Sequence, residues 1–350
     1  MRIAVLGAGA VGGTLAALLD RAGHEVAVTA RGAHLAAIAE RGLSLRGGWG
    51  EHVARIPAAE RLDRSPELAI VATKAQDAGG AIAAGAELLA GVPLVIVQNG
   101  LSGIDSAAAS APSSPLIGGL ALFAASHLEP GLVEVTAPGA LLLAPGSRGA
   151  GAALALAARA LAPLLPVQLG DDLRAAQWSK LLVNQVNALP AVTGLSVQAT
   201  VAHTGLLRVL TRSMQEAARV AAASGARFAP LGVVDERAVA ALRTLPTALA
   251  AALPRRMARS MGDVPNPGST LQSVRRGVPT EIDHLNGAIV DAARSAGLQA
   301  PVNAAITAMV HEAAARGFLS PDEVVARIAA IDAPQTRLGA LARRLGGARG

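Results

Sequence analysis

The first thirty residues carry the pattern that most constrains the fold of this chain. A short apolar run, Ile3 to Leu6, is followed by the glycine-rich segment 7–13, a helical pattern from Thr14 to Ala22, and a β-rich run from Glu25 to Thr29. Strand, Gly-x-Gly-x-x-Gly, helix and strand in this order are the fingerprint of a dinucleotide-binding βαβ unit. The alternative is a glycine-rich turn without a ligand. The position of the motif between a strand and a helix favours binding.

Each glycine of the motif has a predicted task. Gly7 is expected to make the tight turn after the strand, and Gly9 to let the backbone approach a pyrophosphate. Gly12 is expected to let helix and strand pack closely, while the N-terminus of the helix faces the negative charge. With Ala10 and Val11 between them, these residues form the predicted cofactor-binding segment.

The end of the second strand bears on the choice of cofactor. An NAD site usually has Asp or Glu there to hold the ribose hydroxyls, whereas this chain has Thr29-Ala30-Arg31. A guanidinium pairs well with a phosphate, so the sequence favours NADP(H), with Arg31 on the 2′-phosphate. A surface arginine without a ligand is the alternative, because arginine is common in this chain.

Two further apolar runs, Leu68 to Ala72 and Leu94 to Val97, end in polar residues. In an open parallel sheet the carboxyl ends of the strands face the ligand crevice. We therefore expect Lys74 beside the phosphates or ribose of the cofactor and Asn99 near its nicotinamide end. The alternatives are a solvated lysine and an ordinary Asn-Gly turn.

The segment 115–144 is rich in β-forming residues, with short apolar runs separated by Gly and Pro. We interpret these runs as the far edge of the same sheet, partly antiparallel, with Glu129-Pro130-Gly131 as a turn. A last strand is predicted at Val167 to Leu169. The first 170 residues thus read as an α/β Rossmann domain, doubly wound, with a mostly parallel sheet.

Lysine is rare in this chain, which has 31 basic residues, of which only Lys74 and Lys180 are lysines. A lysine retained in an arginine-rich chain suggests a need for a compact ammonium whose pKa can be tuned and whose proton can leave. Lys180 lies beside Trp178, and on a helix it shares a face with Asn184 and Asn187. We predict that Lys180 is a catalytic acid.

The second half of the chain reads as helical. Asp171-Asp172 is a plausible helix cap, and beyond it the periodicity is helical and strand signals vanish. We predict an NADP(H)-binding domain at 1–170 and an all-α substrate domain at 171–334. The Arg/Gly-rich tail, residues 335–350, is predicted to fray or be disordered.

A second group of candidate residues follows in this helical part. Ser269 lies at the end of a Pro- and Gly-containing loop, residues 254–270. Thr280-Glu281-Ile282-Asp283 resembles a capping box before a periodic apolar pattern, which would put Glu281 in the first turn of a helix. The helix dipole favours an ionised carboxylate there. A glutamate that serves only as helix support is the alternative.

Composition argues against several other classes of protein. The chain has no cysteine, and its 7 histidines are dispersed without metal-ligand spacing. The net charge of +6 comes from scattered arginines without an aromatic platform, which does not favour a nucleic-acid partner. The N-terminal run is interrupted too early for a signal peptide, and the Ala/Leu run 151–166 is broken by Arg159 and prolines, so a membrane span is not expected. We expect a cytoplasmic enzyme.

Together these motifs resemble the ketopantoate reductase (2-dehydropantoate 2-reductase) family, which pairs a Rossmann domain with an all-helical domain. The resemblance runs from residue 1 to about 315. The segments that carry it are Gly7-Ala8-Gly9-Ala10-Val11-Gly12, Thr73-Lys74, Gln98-Asn99-Gly100, Lys180 to Asn184, and Ser269 with Pro279-Thr280-Glu281-Ile282-Asp283 and Asn286-Gly287.

The resemblance implies NADPH-dependent reduction of a 2-keto acid, 2-dehydropantoate to pantoate, in pantothenate biosynthesis. It implies that Lys180 is the general acid and that Glu281 binds the product hydroxyl. Ser269 and Asn184 would hold the substrate carboxylate and polar groups, and Asn99 would lie near the reacting carbon. Arg31 and Lys74 match the positions for the 2′-phosphate region of NADPH. For assembly, the candidate is a homodimer.

One position departs from the family pattern. The reductases in question have a second asparagine eight residues after the lysine; here that position is Ala188, and the asparagine is Asn187. A shift of one residue turns a side chain by about 100° around an α-helix. Either the helix carries a local irregularity or this chain holds its substrate differently, and Asn187 is kept as a candidate substrate-binding residue.

Three alternatives to this function stay open on the sequence. The first is a reductase of the same family that acts on a different 2-keto acid. The second is a non-catalytic NADP(H)-sensing protein that kept the fold. The third is a related hydroxyacid or sugar-acid dehydrogenase that runs in the oxidative direction. Lys180, Glu281 and Asn99 occur together, which argues against a sensor, because a sensor needs only the nucleotide-binding half.

Overall fold

The structure is a computed structural model that describes residues 1–332. The strands are β1 (Arg2–Leu6), β2 (Glu25–Thr29), β3 (Leu43–Gly47), β4 (His52–Ala54), β5 (Ala58–Ala59), β6 (Leu68–Val71), β7 (Leu94–Val97), β8 (Leu116–Ala121), β9 (Ala124–Glu129), β10 (Leu132–Ala137), β11 (Leu141–Pro145) and β12 (Val167–Leu169). The tail at 335–350, for which the sequence predicts disorder, lies outside the described residues.

In the first half of the chain helices alternate with strands, and in the second half helices follow one another. They are α1 (Ala10–Arg21), α2 (Gly32–Arg41), α3 (Ala75–Ala83), α4 (Ala86–Leu89), α5 (Gly103–Ser110), α6 (Gly151–Leu161), α7 (Leu173–Asn184), α8 (Ala188–Thr193), α9 (Val197–Ala202), α10 (Thr204–Ala223), α11 (Glu236–Thr244), α12 (Thr247–Ala250), α13 (Ala252–Ser260), α14 (Gly268–Arg275), α15 (Asn286–Ser295), α16 (Pro301–Arg316) and α17 (Pro321–Asp332). Two 3₁₀ helices are η1 (Gln185–Asn187) and η2 (Ile282–His284).

The main sheet has eight strands in the order β12-β11-β8-β7-β6-β1-β2-β5. Pairing is parallel from β8 to β5, and β11 is antiparallel to β8. The central strands β6 and β7 are buried along their whole length, which explains their continuous apolar runs. The predicted α/β fold with a mostly parallel sheet and a partly antiparallel edge is confirmed.

A second, four-stranded sheet was not predicted from the sequence. Its order is β4-β3-β10-β9, so the prediction that the run Leu132 to Val135 belongs to the edge of the main sheet is wrong. Strand β10 alternates buried and half-buried residues, as expected of a sheet with one covered face, whereas β11 is buried nearly throughout. The turn Glu129-Pro130-Gly131 joins β9 to β10, with Gly131 at a positive φ of 81°.

The chain divides into two compact units. The first contains Met1–Val183 and Gly225–Arg237, and the second contains Asn184–Ser224 and the described residues from Ala238 onward. Among its described residues the second unit holds helices and no strand, which confirms the predicted helical part. The domain boundary at residue 170 stays a prediction. Within residues 1–332, no helix combines the length and apolarity required to cross a bilayer.

The helical unit is organised around a buried carboxylate. Glu216 on α10 is 4% exposed, and it accepts hydrogen bonds from the backbone N–H groups of Val302 and Asn303, both at 2.9 Å. The amide of Asn303 adds a third bond at 2.8 Å. These groups lie in the first turn of α16, where unpaired N–H groups and the helix dipole favour a negative charge. The bonds therefore anchor α16 on α10.

Candidate functional site

The glycine-rich loop between β1 and α1 is shaped by close backbone packing. Gly7 has a φ of +95°, and a Cβ placed there would lie 2.8 Å from the backbone nitrogen of Thr73. A Cβ on Gly12 would lie 2.0 Å from the carbonyl oxygen of Gly7. Both contacts are with backbone, so neither neighbour can move out of the way cheaply. These two glycines are required by the fold itself.

Gly9 differs from the other two glycines of the motif. A Cβ there would meet no heavy atom of residues 1–332 within 4 Å, and its φ of −68° is open to any residue. It lies at the N-cap of α1, whose first residues are Ala10, Val11 and Gly12. Space that the protein leaves open, at the positive end of a twelve-residue helix, suits a phosphate. The loop therefore fits the pyrophosphate of a dinucleotide.

Parallel registers align the other cofactor-site candidates along one edge of the sheet. Leu6 pairs with Thr29 on one side and with Val71 on the other, and Val71 pairs with Ile96. Neighbouring strands are about 4.8 Å apart, so the segments that follow β2, β1, β6 and β7 lie side by side. The candidate residues on these segments are, in spatial order, Arg31, Gly7, Lys74 and Asn99. The structure thus brings these candidates to one edge.

The candidate side chains at this edge differ in their exposure to solvent. Arg31 is the exposed N-cap residue of α2, and Lys74 is the half-buried N-cap residue of α3. Asn99 is half-buried in the turn after β7. An exposed guanidinium at the end of β2 is accessible to a ligand, in agreement with a contact to a cofactor phosphate.

Two residues at this edge were not among the candidates from the sequence. Gln98 is buried, and its Nε2 donates to the carbonyl oxygen of Thr73 at 3.2 Å, which ties the ends of β6 and β7 together. Gln98 Oε1 and Thr73 Oγ1 are buried and have no hydrogen-bond partner within residues 1–332. Orphaned buried polar atoms call for a ligand or a water molecule. A polar residue directly after a buried strand is the sequence signal that could have identified both.

Lys180 lies on α7 in the first unit. Asp172 accepts a hydrogen bond from the backbone N–H of Ala175 at 2.9 Å, which confirms the predicted cap of this helix. Trp178 is 1% exposed, and Ser179 Oγ donates to the carbonyl oxygen of Ala229 at 2.6 Å. The residues before Lys180 are therefore fixed by packing and hydrogen bonding, so the direction in which the lysine leaves the helix is fixed as well.

Burial lowers the pKa of Lys180 to about 8. The cause is desolvation, which disfavours the charged form of an amine. A lysine with this pKa is still mostly protonated at neutral pH, and it gives up its proton far more readily than an ordinary lysine. Arginine could not be adjusted in this way, because its pKa is too high.

The helix that carries Lys180 is interrupted directly after Asn184. Residues Gln185–Asn187 form the 3₁₀ helix η1, and α8 follows from Ala188. A 3₁₀ helix turns 120° per residue against 100° in an α-helix, so three such residues add about 60° of rotation. Asn187 is thereby turned more than half of the way towards the direction that residue 188 would have on a regular helix. Of the two alternatives raised by the sequence, the local irregularity is present.

In the second unit, Asn187 lies against the start of the helix that carries Ser269. Gly268 has a φ of +73°, and a Cβ there would lie 2.6 Å from Asn187 Oδ1, so the start of α14 packs directly on this side chain. Ser269 is exposed in the first turn of α14, so the predicted loop 254–270 is wrong at both ends: α13 continues to Ser260, and α14 begins at Gly268. Gln198 secures the preceding loop, because its Nε2 donates to the carbonyl oxygens of Gly262 at 3.0 Å and Val264 at 2.9 Å.

The predicted helix start around Glu281 is wrong. Thr280 Oγ1 accepts from the backbone N–H of Ile282 at 3.5 Å, and Asp283 instead contacts His311 Nε2 at 2.9 Å, so no capping box forms. Half-buried Glu281 precedes η2, and α15 begins only at Asn286. Glu281 therefore lies at the entry of a short 3₁₀ helix. Like Asn184, Asn187 and Ser269, it belongs to the second unit.

Comparison with known protein families matches most of the chain. Residues 3–148 match the family model described as Ketopantoate reductase PanE/ApbA. Residues 172–314 match the model described as Ketopantoate reductase PanE/ApbA C terminal.

Individual relatives extend over nearly the full length. The 2-dehydropantoate 2-reductase of Mesorhizobium japonicum is 30% identical over 342 residues, which cover 90% of this chain and 98% of that protein. A solved PanE/ApbA family ketopantoate reductase from Ralstonia eutropha JMP134 is 30% identical with a TM-score of 0.77, covering 91% of this chain and 99% of the other. A complex of D-mandelate dehydrogenase with NADH has the same fold, with a TM-score of 0.76 at 22% identity over 90% of this chain and 99% of that one.

The contrast between Gly9 and Gly12 gives a test of the loop. Gly9→Ala is expected to lower the free energy of unfolding by at most about 1 kcal/mol, since Ala is a poorer N-cap than Gly but its methyl group has room here. It should weaken binding of a nicotinamide dinucleotide by about tenfold or more, because the added methyl group occupies the open side of the loop. Thermal unfolding and fluorescence titration measure the two effects.

Gly12→Ala is the matched control. Its methyl group must push against the carbonyl oxygen of Gly7, so we expect a loss of stability of about 1–3 kcal/mol. If Gly9→Ala binds the dinucleotide as tightly as the unchanged chain, the open side of the loop is not the pyrophosphate site.

Proposed function

The chain belongs to the ketopantoate reductase family, and from that premise we propose that it reduces 2-dehydropantoate to pantoate with NADPH, with Lys180 as the general acid. It is an oxidoreductase that acts on CH–OH groups, with a nicotinamide cofactor and a small-molecule substrate. The observation that carries the proposed mechanism is the partly buried position of Lys180 on α7, which lowers the pKa of the lysine to about 8. A homodimer and a cytoplasmic location remain predictions.

Residues of the first unit are proposed to hold the cofactor. The nicotinamide ring supplies the hydride when NADPH is bound. The open side of Gly9 and the N-terminus of α1 would take the pyrophosphate, with Gly7, Ala10, Val11 and Gly12 forming the loop. Arg31 and Lys74 would hold the 2′-phosphate region, and Asn99 would lie near the nicotinamide. The common edge on which these residues lie supports this assignment.

Lys180 is proposed to act on the substrate carbonyl. When hydride reaches the keto carbon, negative charge develops on the carbonyl oxygen, and an ammonium group there stabilises the charge and then supplies the proton. Glu281 would bind the resulting hydroxyl group. Asn184, Asn187 and Ser269 would hold the substrate carboxylate and polar groups, and the packing of Gly268 on Asn187 supports a shared task for the last two.

Substitution of Lys180 tests the central assignment. Lys180→Ala should lower kcat by about 10²- to 10⁴-fold, the range expected for loss of a general acid. Lys180→Arg should fail similarly, because a guanidinium keeps its charge but does not release its proton. NADPH binding, measured by fluorescence titration, should stay nearly unchanged in both variants. Turnover by Lys180→Ala at a rate near that of the unchanged enzyme would remove Lys180 from the mechanism.

The pKa of Lys180 also sets an expected pH profile. Reduction requires the protonated amine, so kcat/KM for the keto acid should fall about tenfold per pH unit above about pH 8. Oxidation of the hydroxy acid requires the neutral amine and should rise through the same pH range. A descending limb for reduction that persists in the residual activity of Lys180→Ala would show that another group is responsible.

A panel of 2-keto acids with NADPH and NADH, read by absorbance decay, tests substrate and cofactor together. NADH belongs in the panel because D-mandelate dehydrogenase, which has the same fold, was solved with NADH. We expect 2-dehydropantoate with NADPH to give the highest kcat/KM. Arg31→Ala should raise the KM for NADPH by about tenfold and leave that for NADH unchanged, since only NADPH carries the 2′-phosphate.

The outcomes of this panel separate the alternatives. A different preferred keto acid would indicate another member of the same family, and a clear preference for NADP⁺ with a hydroxy acid would indicate the oxidative direction. NADPH binding without turnover of any substrate would indicate a sensor. An equal effect of Arg31→Ala on both cofactors would remove this residue from the 2′-phosphate site.

A further inference from the structure

Three segments of the first unit meet at the side chain of His34. His34 lies in the first turn of α2, the helix that begins after Arg31. Its Nε2 is 2.7 Å from the carbonyl oxygen of Ala8, and its Nδ1 accepts a hydrogen bond from the backbone N–H of Gly131 at 2.9 Å. The ring is half-buried and contacts the ring of His127, with 4.2 Å between the centroids.

These two bonds determine the protonation state of the ring. A backbone N–H can only donate, so Nδ1 must carry no proton. A carbonyl oxygen can only accept, so the proton lies on Nε2. His34 is therefore neutral when both bonds are made. Burial lowers the pKa of His34, against an opposing contribution from the bond to Ala8, and this direction favours the same neutral state.

The hydrogen bond between His34 and the carbonyl group of Ala8 lies directly next to Gly9, the residue of the glycine-rich motif that has open space around it. The carbonyl group of Ala8 and the N–H group of Gly9 belong to one planar peptide unit, so a fixed carbonyl also fixes the direction of the N–H. On the other side of Ala8, its own N–H donates to the carbonyl oxygen of Thr29 at 3.0 Å. Loss of the His34 bond is therefore expected to loosen the orientation of the peptide between Ala8 and Gly9, and with it the direction of the Gly9 N–H.

We propose that His34 is a positioning residue that orients the Gly9 N–H and the start of α2 for the dinucleotide cofactor, and that protonation of His34 weakens cofactor binding at acidic pH. Protonation would place a second N–H on Nδ1, facing the N–H of Gly131, so that bond is lost and the ring is displaced. The neutral state, and with it the oriented loop, is present at neutral pH and is lost as the pH falls. This inference rests on the proposed cofactor site.

Other ionisable groups lie on the elements around His34. They are Arg31, Glu40 and Arg41 on or next to α2, His127 and Glu129 on β9, and Glu134 on β10. Arg41 Nη2 donates to the carbonyl oxygen of Pro130 at 2.8 Å, beside the N–H that His34 accepts. Arg41 thus places a positive charge on the turn that His34 contacts. His127 is the other titratable ring in contact, so it needs its own variant.

The test is titration of NADPH fluorescence with the full-length chain between about pH 5 and pH 8, the range in which histidine titrates. His34→Phe keeps the ring contact with His127 and removes both hydrogen bonds. Near neutral pH it should raise the Kd for NADPH about three- to tenfold, the value of one or two hydrogen bonds. Once NADPH is saturating, kcat should be unchanged, because His34 does not touch the reacting atoms.

His34→Gln is the conservative variant, since its amide can donate to Ala8 but does not titrate. We expect its Kd near neutral pH to be close to that of the unchanged chain. The 2′-phosphate of NADPH itself titrates near pH 6, so the informative quantity is the ratio of the two Kd values at each pH. The Kd of the unchanged chain relative to that of His34→Gln should rise by up to about tenfold per pH unit below the pKa of His34. A parallel series with NADH, which has no 2′-phosphate, should give the same ratio.

Two control variants complete the design. His24→Ala removes a histidine at the opposite edge of the sheet, where β2 begins, and should bind NADPH like the unchanged chain. In His127→Phe the Kd for NADPH should still rise at acidic pH. If this rise is lost in His127→Phe, the titrating group is His127 and the proposal for His34 is overturned. Thermal unfolding of each variant shows whether it is folded, and the glutamine variant carries the test if His34→Phe does not fold.

The outcomes separate this inference from the proposed function. If the unchanged chain binds neither NADPH nor NADH at any pH, the proposed cofactor site is wrong. If the unchanged chain binds NADPH, but His34→Phe binds it equally tightly or the ratio for His34→Gln stays constant with pH, the cofactor site stands and the role of His34 is overturned.

Discussion

Parallel pairing of β1 with β2 and β6 is the constraint on which the proposed cofactor site depends. It places the ends of neighbouring strands side by side, so residues far apart in the chain, Arg31, Lys74 and Asn99, come to one edge. Helix α1 can start directly behind β1 only because Gly12 allows its backbone to lie against the carbonyl of Gly7. Strand pairing and the close contact of Gly12 with Gly7 fix the rest of the loop, and the space beside Gly9 is left open.

The sequence was sufficient to predict that these residues lie at one edge of the sheet, because its signals are local. A buried parallel strand appears as an unbroken apolar run, and the residue that follows it lies at the ligand edge whatever the rest of the chain does. The second sheet could not be foreseen in the same way. Strand β10 pairs with β3, about ninety residues earlier in the chain, and no local pattern specifies a partner at that distance. His34 accepts a hydrogen bond from Gly131, in the turn before β10, so its proposed role could not be predicted from the sequence either.

The interruption after Asn184 shows a different limit. The sequence predicts a helix that contains Lys180 and Asn184, and nothing local in it announces a break directly after Asn184. The break is accompanied by a buried group of polar side chains: Gln185 Oε1 accepts from Asn286 Nδ2 at 3.1 Å, and Asn286 also reaches Asn303 Oδ1 at 3.0 Å. Tertiary hydrogen bonds of this kind compensate a locally poorer helix geometry. The same group fixes the start of α15, which explains why the helix begins at Asn286 and leaves Glu281 before η2.

The two basic residues Arg31 and Lys180 differ in exposure: Arg31 is exposed, and Lys180 is half-buried. A guanidinium keeps its charge and can pair with a phosphate whether it is buried or exposed. The exposed position of Arg31 at the end of β2 is therefore compatible with its proposed contact to a phosphate. An ammonium responds strongly to desolvation, and the half-buried position of Lys180 is what brings its pKa to about 8. The proposed role of Lys180 as a proton donor suits a lysine, and the proposed contact of Arg31 with a phosphate suits an arginine. The proposed general-acid role would account for a lysine at position 180 in a chain that otherwise uses arginine, because burial on α7 lowers the pKa of an ammonium group.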